Sequence, residues 1–307
     1  VYDTSSQPLA EVYNSAVNSG AELVIGPMRQ SQVEELLSLP QLEVPTITLN
    51  RVDKNIENPP ANLFQFGLSA LDEMEQIADR AWLEGQSNVL LIAPDSGWGK
   101  RATEYFEDYW TALGGTMIDT VSYPSSVKDF TKLLKAPLEI DLSEKRALEM
   151  RRFINSSLSY TARRRDDIDL VVVLGYSEKA RQIKPSLDFL YAGDLPVYSS
   201  SHIYNGTQQI ELNRDLSGIE FSAMNWTLEG HMPRSLEPDQ RLPTAYIQLF
   251  ALGYDAFLLH ANLGDLDKPD AIPLFGSTGL LTVSNGVIKR QEKWAVFEKG
   301  RAIPARP

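Results

Sequence analysis

The chain has 307 residues, 43% hydrophobic and 23% charged, the composition of a globular protein with room for about two domains. Its formal net charge of −12 excludes a nucleic-acid surface, which needs clustered Lys and Arg, and disfavours electrostatic docking on anionic lipid. It contains no cysteine, which removes disulfides, thiolate catalysis and thiolate metal sites and weakly favours an oxidising compartment.

The elements follow in chain order. The start at Val1 reads as a strand-like stretch of a domain cut from a longer protein, with no signal peptide before it. Leu9, Val12, Tyr13, Ala16 and Val17 recur at helical spacing, with Ser6 and Pro8 as start and Gly20 as stop. Glu22–Ile25 reads as a buried strand closed by Gly26 and Pro27. Ser31 and Glu34 have capping-box spacing for a short helix through Leu37, and Pro45–Leu49 reads as the next strand. Ser69 caps a helix to about Glu84, stopped by Gly85. Val89–Ala93 is strand, Arg101–Leu113 helix, Gly114 and Gly115 its stop, and Thr116–Val121 strand. Strands separated by helix-length segments imply parallel strands with helical crossovers.

The second half repeats this logic. Ser143 to about Tyr160 reads as a long helix, Asp169–Leu174 as an apolar strand, and Ser177 opens a helix that Pro185 interrupts or ends. Pro196–Ser200 and Gly218–Phe221 are short strands, and Pro243–Leu263 is a long helix. Ser284, Asn285 and Gly286 sit between two β-like runs from Gly279 to Phe297, a hairpin signal. No run approaches the roughly 18 apolar residues of a membrane helix. Without repeats or low-complexity linkers, the two lobes are expected to exchange strands.

Catalytic signals are weak. The histidines are His202, His231 and His260. His260 sits on the long helix, where packing explains it better than catalysis. His202 follows Ser199, Ser200 and Ser201, but neighbouring strand residues point to opposite faces, so the run builds no Ser–His pair by itself. No G-x-S-x-G elbow or H-E-x-x-H helix is present. Gly97-Trp-Gly-Lys100 lacks both phosphate-loop and dinucleotide spacing. It reads either as a flexible turn or as a ligand-facing loop at the carboxyl end of a strand. No cofactor or metal is implied, and no carboxylate pair stands out.

Two surfaces remain. Ser96, Trp98, Tyr176, Ser177 and Glu178 adjoin strand ends and are candidates for lining a cleft. Arg163, Arg164 and Arg165 read either as a solvated helix end or as a partner patch. Trp226, like Trp98 and Trp294, is either a packing residue or a contact anchor.

Two resemblances add to this reading. Val24-Ile-Gly-Pro27, Pro94-Asp-Ser-Gly-Trp-Gly-Lys100, Tyr254-Asp-Ala256 and Gly276-Ser-Thr-Gly279, in this order of elements, resemble type I periplasmic binding proteins. A second set is similar to the LpoA family of penicillin-binding protein activators: Tyr2-Asp-Thr-Ser-Ser-Gln-Pro8, Arg163-Arg-Arg-Asp-Asp-Ile-Asp169, Ile183-Lys-Pro185, Leu195-Pro-Val-Tyr-Ser-Ser-Ser201 and Asp215-Leu-Ser-Gly-Ile219. That resemblance implies a periplasm-facing, non-catalytic domain of an outer-membrane lipoprotein. Its partner would be a class A penicillin-binding protein, the enzyme that polymerises and cross-links peptidoglycan. Both families place a further strand and helix before the Tyr-Asp-Thr segment, and activators also carry a lipidated Cys and a helical-repeat domain. None of these lies in this chain, so a central strand of the first lobe is expected to be missing.

The fold expected is therefore α/β, two doubly wound lobes around a cleft, of the type I periplasmic-binding-protein kind. Residues 1–119 with 240–283 would form the first lobe and 120–239 with 284–307 the second. The rival function is a solute receptor of a transport system, holding an amino acid or similar small ligand in the cleft.

Overall fold

The structure, a computed structural model, describes residues 1–52, 56, 58–154, 159–228, 232–236, 244–266, 268 and 270–305. It divides into two compact units, residues 1–72 with 224–292 and residues 73–223 with 293–307. The first segment carries α1 (Leu9–Asn18), β1 (Val24–Ile25), α2 (Gln30–Leu37), β2 (Gln41–Thr48) and β3 (Ala61–Phe66). Helix α3 (Ala70–Leu83) leads into β4 (Asn88–Pro94), α4 (Gly97–Leu113), β5 (Thr116–Tyr123), α5 (Phe130–Leu134) and α6 (Ile140–Ile154). Then come β6 (Leu170–Val173), α7 (Ser177–Phe189), β7 (Val197–Ser199), α8 (Ile210–Asn213) and β8 (Ile219–Ala223). The chain returns with α9 (Thr244–His260), α10 (Leu263–Leu266), β9 (Leu274–Phe275), β10 (Leu280–Ser284) and β11 (Val287–Gln291), and closes with β12 (Lys293–Glu298) and β13 (Arg301–Pro304).

The first unit holds a six-stranded sheet ordered β1-β2-β3-β11-β10-β9. β1, β2, β3 and β11 are mutually parallel, β10 runs antiparallel to β11, and β9 runs antiparallel to β10. Leu63 faces a cluster with Leu9 and Tyr13 of α1 and Leu36 of α2. Its neighbours Phe64 and Phe66 face the opposite cluster, with Leu252, Ala256 and Leu259 of α9 and Leu263 and Leu266 of α10. Alternation along one strand thus covers both faces, the doubly wound arrangement. The hairpin turn has Asn285 at φ 49° and Gly286 at φ 70°, the two positive angles of a type I′ turn.

Two sequence motifs of this unit meet. The buried Asp255 carboxylate on α9 accepts hydrogen bonds from Ser277 N–H at 2.7 Å, Ser277 Oγ at 2.6 Å, Thr278 N–H at 2.7 Å and Thr278 Oγ1 at 2.6 Å. A Cβ at position 276 would lie 2.5 Å from Asp255 Oδ2, so glycine is required there.

The second unit holds a seven-stranded sheet ordered β13-β12-β8-β7-β6-β4-β5. Strands β8, β7, β6, β4 and β5 are parallel, and β12 and β13 add antiparallel pairs. Val89 to Ile92 and Leu170 to Leu174 are buried throughout, as central parallel strands covered on both faces must be. One face packs Met74 and Ile77 of α3 and Phe106 and Trp110 of α4 on Val89, Leu91, Leu170 and Val172. These branched and aromatic side chains each contribute about 1.5–3 kcal/mol on burial.

Several expectations change. The chain changes units at 72/73, 223/224 and 292/293, against the expected 119/120, 239/240 and 283/284. Pairing is the reason: β4 lies between β5 and β6, and β11 pairs with β3. Residues 1–8 form no strand, because the Asp3 carboxylate binds Ser5 N–H at 2.8 Å and Ser5 Oγ at 2.6 Å, a local turn. Helix α2 begins with Arg29 as its cap and has no side-chain cap, so Ser31 caps nothing. Pro185 lies inside α7, which runs on to Phe189 with Ile183 and Leu187 buried on either side of it. Helix α6 ends at Ile154, and residues 155–158 of its expected extension lie outside the described residues. Strand β3 and helix α5 were not anticipated.

Candidate functional site

Helices α4 and α7 both begin where a parallel strand ends, at β4 and β6, which are neighbours in the second sheet. This carboxyl edge is where open α/β sheets present ligands to their loops. Gly97-Trp-Gly-Lys100 is neither a flexible turn nor a phosphate loop. It is the first turn of α4, capped by Ser96, whose Oγ accepts from Gly99 N–H at 3.0 Å. A Cβ on residue 99 would lie 2.0 Å from the Pro94 carbonyl oxygen, so this glycine allows helix and strand to approach.

Of the five residues expected at this edge, the structure brings two to one feature, and His202 joins them. The Trp98 and His202 rings lie 4.7 Å apart, and Tyr176 meets His202 edge-on at 5.9 Å. Tyr176 is 65% exposed, which leaves its phenol available to a ligand. Ser177 is half-buried at the first position of α7, and Glu178 is exposed in its first turn, suited to the helix dipole. Ser96 is committed to its cap.

The buried Glu73 carboxylate holds the turn that carries His202. It accepts from Ser201 N–H at 2.6 Å, Ser201 Oγ at 2.9 Å and Ser222 Oγ at 3.0 Å. The place of His202 beside Trp98 is not legible from its serine neighbours in the sequence. The usable signal was position, directly after the strand ending at Ser199, as Ser96 and Tyr176 follow theirs. Ser200 Oγ lies 3.4 Å from His202 Nδ1, long for an activated nucleophile. Aromatic faces with nearby hydroxyls can stack and orient a small ligand. Among the described residues no cluster of His, Asp and Glu could hold a metal ion, and His231 lies outside them.

The arginine run is largely paired locally. Arg164 reaches Asp194 at 2.8 Å and the Tyr191 carbonyl at 3.2 Å. Arg165 forks onto Asp167 at 2.6 and 2.7 Å. These hydrogen bonds hold the Asp167 and Asp194 carboxyls below the usual carboxylate range. Arg163 stays exposed, its backbone N–H donating to Ser143 Oγ at 3.1 Å. Trp226 is no contact anchor. It is 8% exposed and packs on Tyr254 at 5.0 Å and Phe250 at 5.9 Å, because its 3₁₀ turn lies against α9.

Comparison with known proteins agrees with this fold. "Penicillin-binding protein activator LpoA" of Edwardsiella ictaluri is 27% identical over 99% of this chain and 46% of its own length, and that of Aliivibrio fischeri 29% over 96% and 49%. The chain spans about half the length of the curated relatives it matches. The Haemophilus influenzae structure described as "LpoA (YraM) C-domain", "a regulator of PBP1A", superposes with TM-score 0.75 at 22% identity, covering 100% of this chain and 89% of its own. A "putative branched-chain amino acid ABC transporter" from Chromobacterium violaceum superposes with TM-score 0.68 at 25% identity, covering 94% and 84%. The expected fold class, of the type I periplasmic-binding-protein kind, is therefore the one found. The family model described as "LppC putative lipoprotein" matches residues 1–300, and the chain belongs to this LppC family.

Proposed function

We propose that this chain is a non-catalytic regulatory domain that binds a class A penicillin-binding protein and stimulates peptidoglycan cross-linking. It would act on the periplasmic face of the outer membrane, within a protein tethered there by lipid. The observation that carries the reading is whole-chain likeness to proteins named as penicillin-binding protein activators, where 99% of this chain aligns. The sheet edge adds support, since its residues suit holding a group better than cleaving one. No described helix is long and apolar enough to cross a membrane. Arg163, Arg164 and Arg165 remain candidates for the partner surface, with Arg163 the most available.

A second reading rests on the Trp98–His202–Tyr176 cluster and the transporter-like structure. In it, the carboxyl edge of the second sheet, with Ser96, Ser177 and Glu178 also at the starts of α4 and α7, takes an amino acid or similar small solute. The two readings separate in one experiment. Equilibrium binding is measured to the purified class A synthase of the same organism, and thermal shift is measured with a panel of amino acids. Synthase binding in the micromolar range or tighter, with no amino-acid shift, supports the regulator. An amino-acid shift of several degrees without synthase binding supports the receptor.

A further inference from the structure

Helix α6 buries Ile140 and Ala147 alone, and every residue from 148 to 154 is exposed. In proteins most helical stability comes from packing an apolar face, yet here the apolar face points away. Leu142 is 44% exposed, Met150 50%, Ile154 51% and Phe153 90%. At 100° per residue, Leu142, Arg146, Met150 and Phe153 fall on one stripe, and Ile154 extends it to the border of the buried line of Ile140 and Ala147. The stripe is about 18 Å long. The cations gather toward its C-terminal end: Lys145, Arg146, Arg151 and Arg152 outnumber Glu149 between 145 and 154, while Asp141 and Glu144 stand in the first turns, in a protein of net charge −12.

The neighbouring segment adds one exposed cation, Arg163, since Arg164 and Arg165 pair with Asp194 and Asp167. Arg151 lies over the Tyr160 ring at 5.1 Å, Arg163 N–H binds Ser143 Oγ, and Arg165 N–H binds the Leu138 carbonyl at 3.0 Å. The arginine run thus lies along the base of α6, and Arg163 continues its charge.

We propose that the α6 stripe is the surface by which this chain seats its protein partner, in an apolar groove rimmed by carboxylates. Met150, Phe153 and Ile154 enter the groove, and Arg146, Arg152 and Arg163 meet the rim. Anchors at i, i+3 and i+4 are the signature of a helix laid in a groove, and opposite charge sets approach and register. A bilayer fits less well, because the net negative chain is repelled by anionic lipid. The inference rests on the proposed function, which supplies the partner: the groove lies on the class A synthase.

The test compares affinities for the purified synthase of the 307-residue chain, Met150→Gln with Phe153→Gln, and Arg146→Gln with Arg152→Gln. Phe257→Gln on α9, another exposed aromatic, is the control. The altered side chains are exposed, so helicity and melting temperature stay as in the parent and certify folding. The apolar pair should weaken binding at least tenfold, the arginine pair should flatten its salt dependence, and the control should bind like the parent. Parent binding with both pairs within twofold of it overturns the α6 surface and leaves the proposed function standing. No parent binding overturns both. Equal synthase binding by all variants, with the α6 pairs losing affinity for phosphatidylglycerol vesicles, assigns the stripe to lipid and overturns the protein groove.

Discussion

Replacing Asp255 with Asn tests how the first unit is held together. The carboxylate accepts from two backbone N–H groups and two hydroxyls at 2.6–2.7 Å, wholly buried. Asn keeps an acceptor on one side and places an NH₂ on the other. A hydroxyl there can rotate to accept from the amide, but a backbone N–H cannot. One buried N–H therefore faces another donor, at about 1–3 kcal/mol, and the remaining bonds lose their charge assistance, worth about 1.5–3 kcal/mol each where fully formed. The expected cost is about 3 kcal/mol, or about 1.5 M in urea midpoint for a slope near 2 kcal/mol/M. Trp226 is the tryptophan of the first unit, and Trp82, Trp98, Trp110 and Trp294 lie in the second. ¹⁹F NMR of 5-fluorotryptophan-labelled protein therefore reads the units separately. The Trp226 resonance should melt at lower urea while the other four move little. An unchanged Trp226 midpoint would refute the claim that Asp255 ties α9 to Ser277 and Thr278. Equal shifts of all five resonances would show instead that the two units unfold together.

Other predictions concern the second unit. Gly99→Ala should cost at least about 2 kcal/mol in chemical denaturation, since its methyl would meet the Pro94 carbonyl oxygen at 2.0 Å. Ser96→Ala, which removes the α4 cap, should cost about 1 kcal/mol. Burial pushes the Tyr123 hydroxyl up to about 12, and it donates to the Leu174 carbonyl at 2.9 Å. The unfolded chain loses this proton near pH 10 and the folded one does not. Stability should therefore fall by about 2 kcal/mol from pH 10 to 12, and Tyr123→Phe should lack that component in paired denaturation curves. Arg165→Ala should change stability by less than about 1 kcal/mol, because its Asp167 partner is half exposed.

The sequence was most informative where burial is two-sided. Leu90, Leu91 and Ile92, or Val171, Val172 and Val173, admit few alternatives to a central strand, and Asn285-Gly286 marked its hairpin through backbone angles alone. Strand β3 escaped because Asn62 and Gln65 break its apolar run; Gln65 is buried by accepting from Val52 N–H at 2.9 Å, a partner fixed only by folding. Unit boundaries depend on which strands pair across more than two hundred residues, as β3 with β11 does, and no local pattern carries that. Pro185 was misread because local chemistry disfavours proline in a helix, while burial of Ile183 and Leu187 outweighs the lost hydrogen bond. Trp98 and Tyr176 were legible from their place after strands. His202 required the loops to be folded together, and the exposure of α6 required knowing that its neighbours cover so little of it.

Regulation of a class A synthase by this chain would be visible in the product of that enzyme. Purified synthase polymerises lipid-linked precursor with and without the 307-residue chain, and the cross-linked fraction of the digested product is measured. The cross-linked fraction should rise severalfold, saturate with the chain, and stay at its basal level when the synthase's transpeptidase serine is blocked with penicillin. A cross-linked fraction unchanged at saturating binding would contradict that regulation.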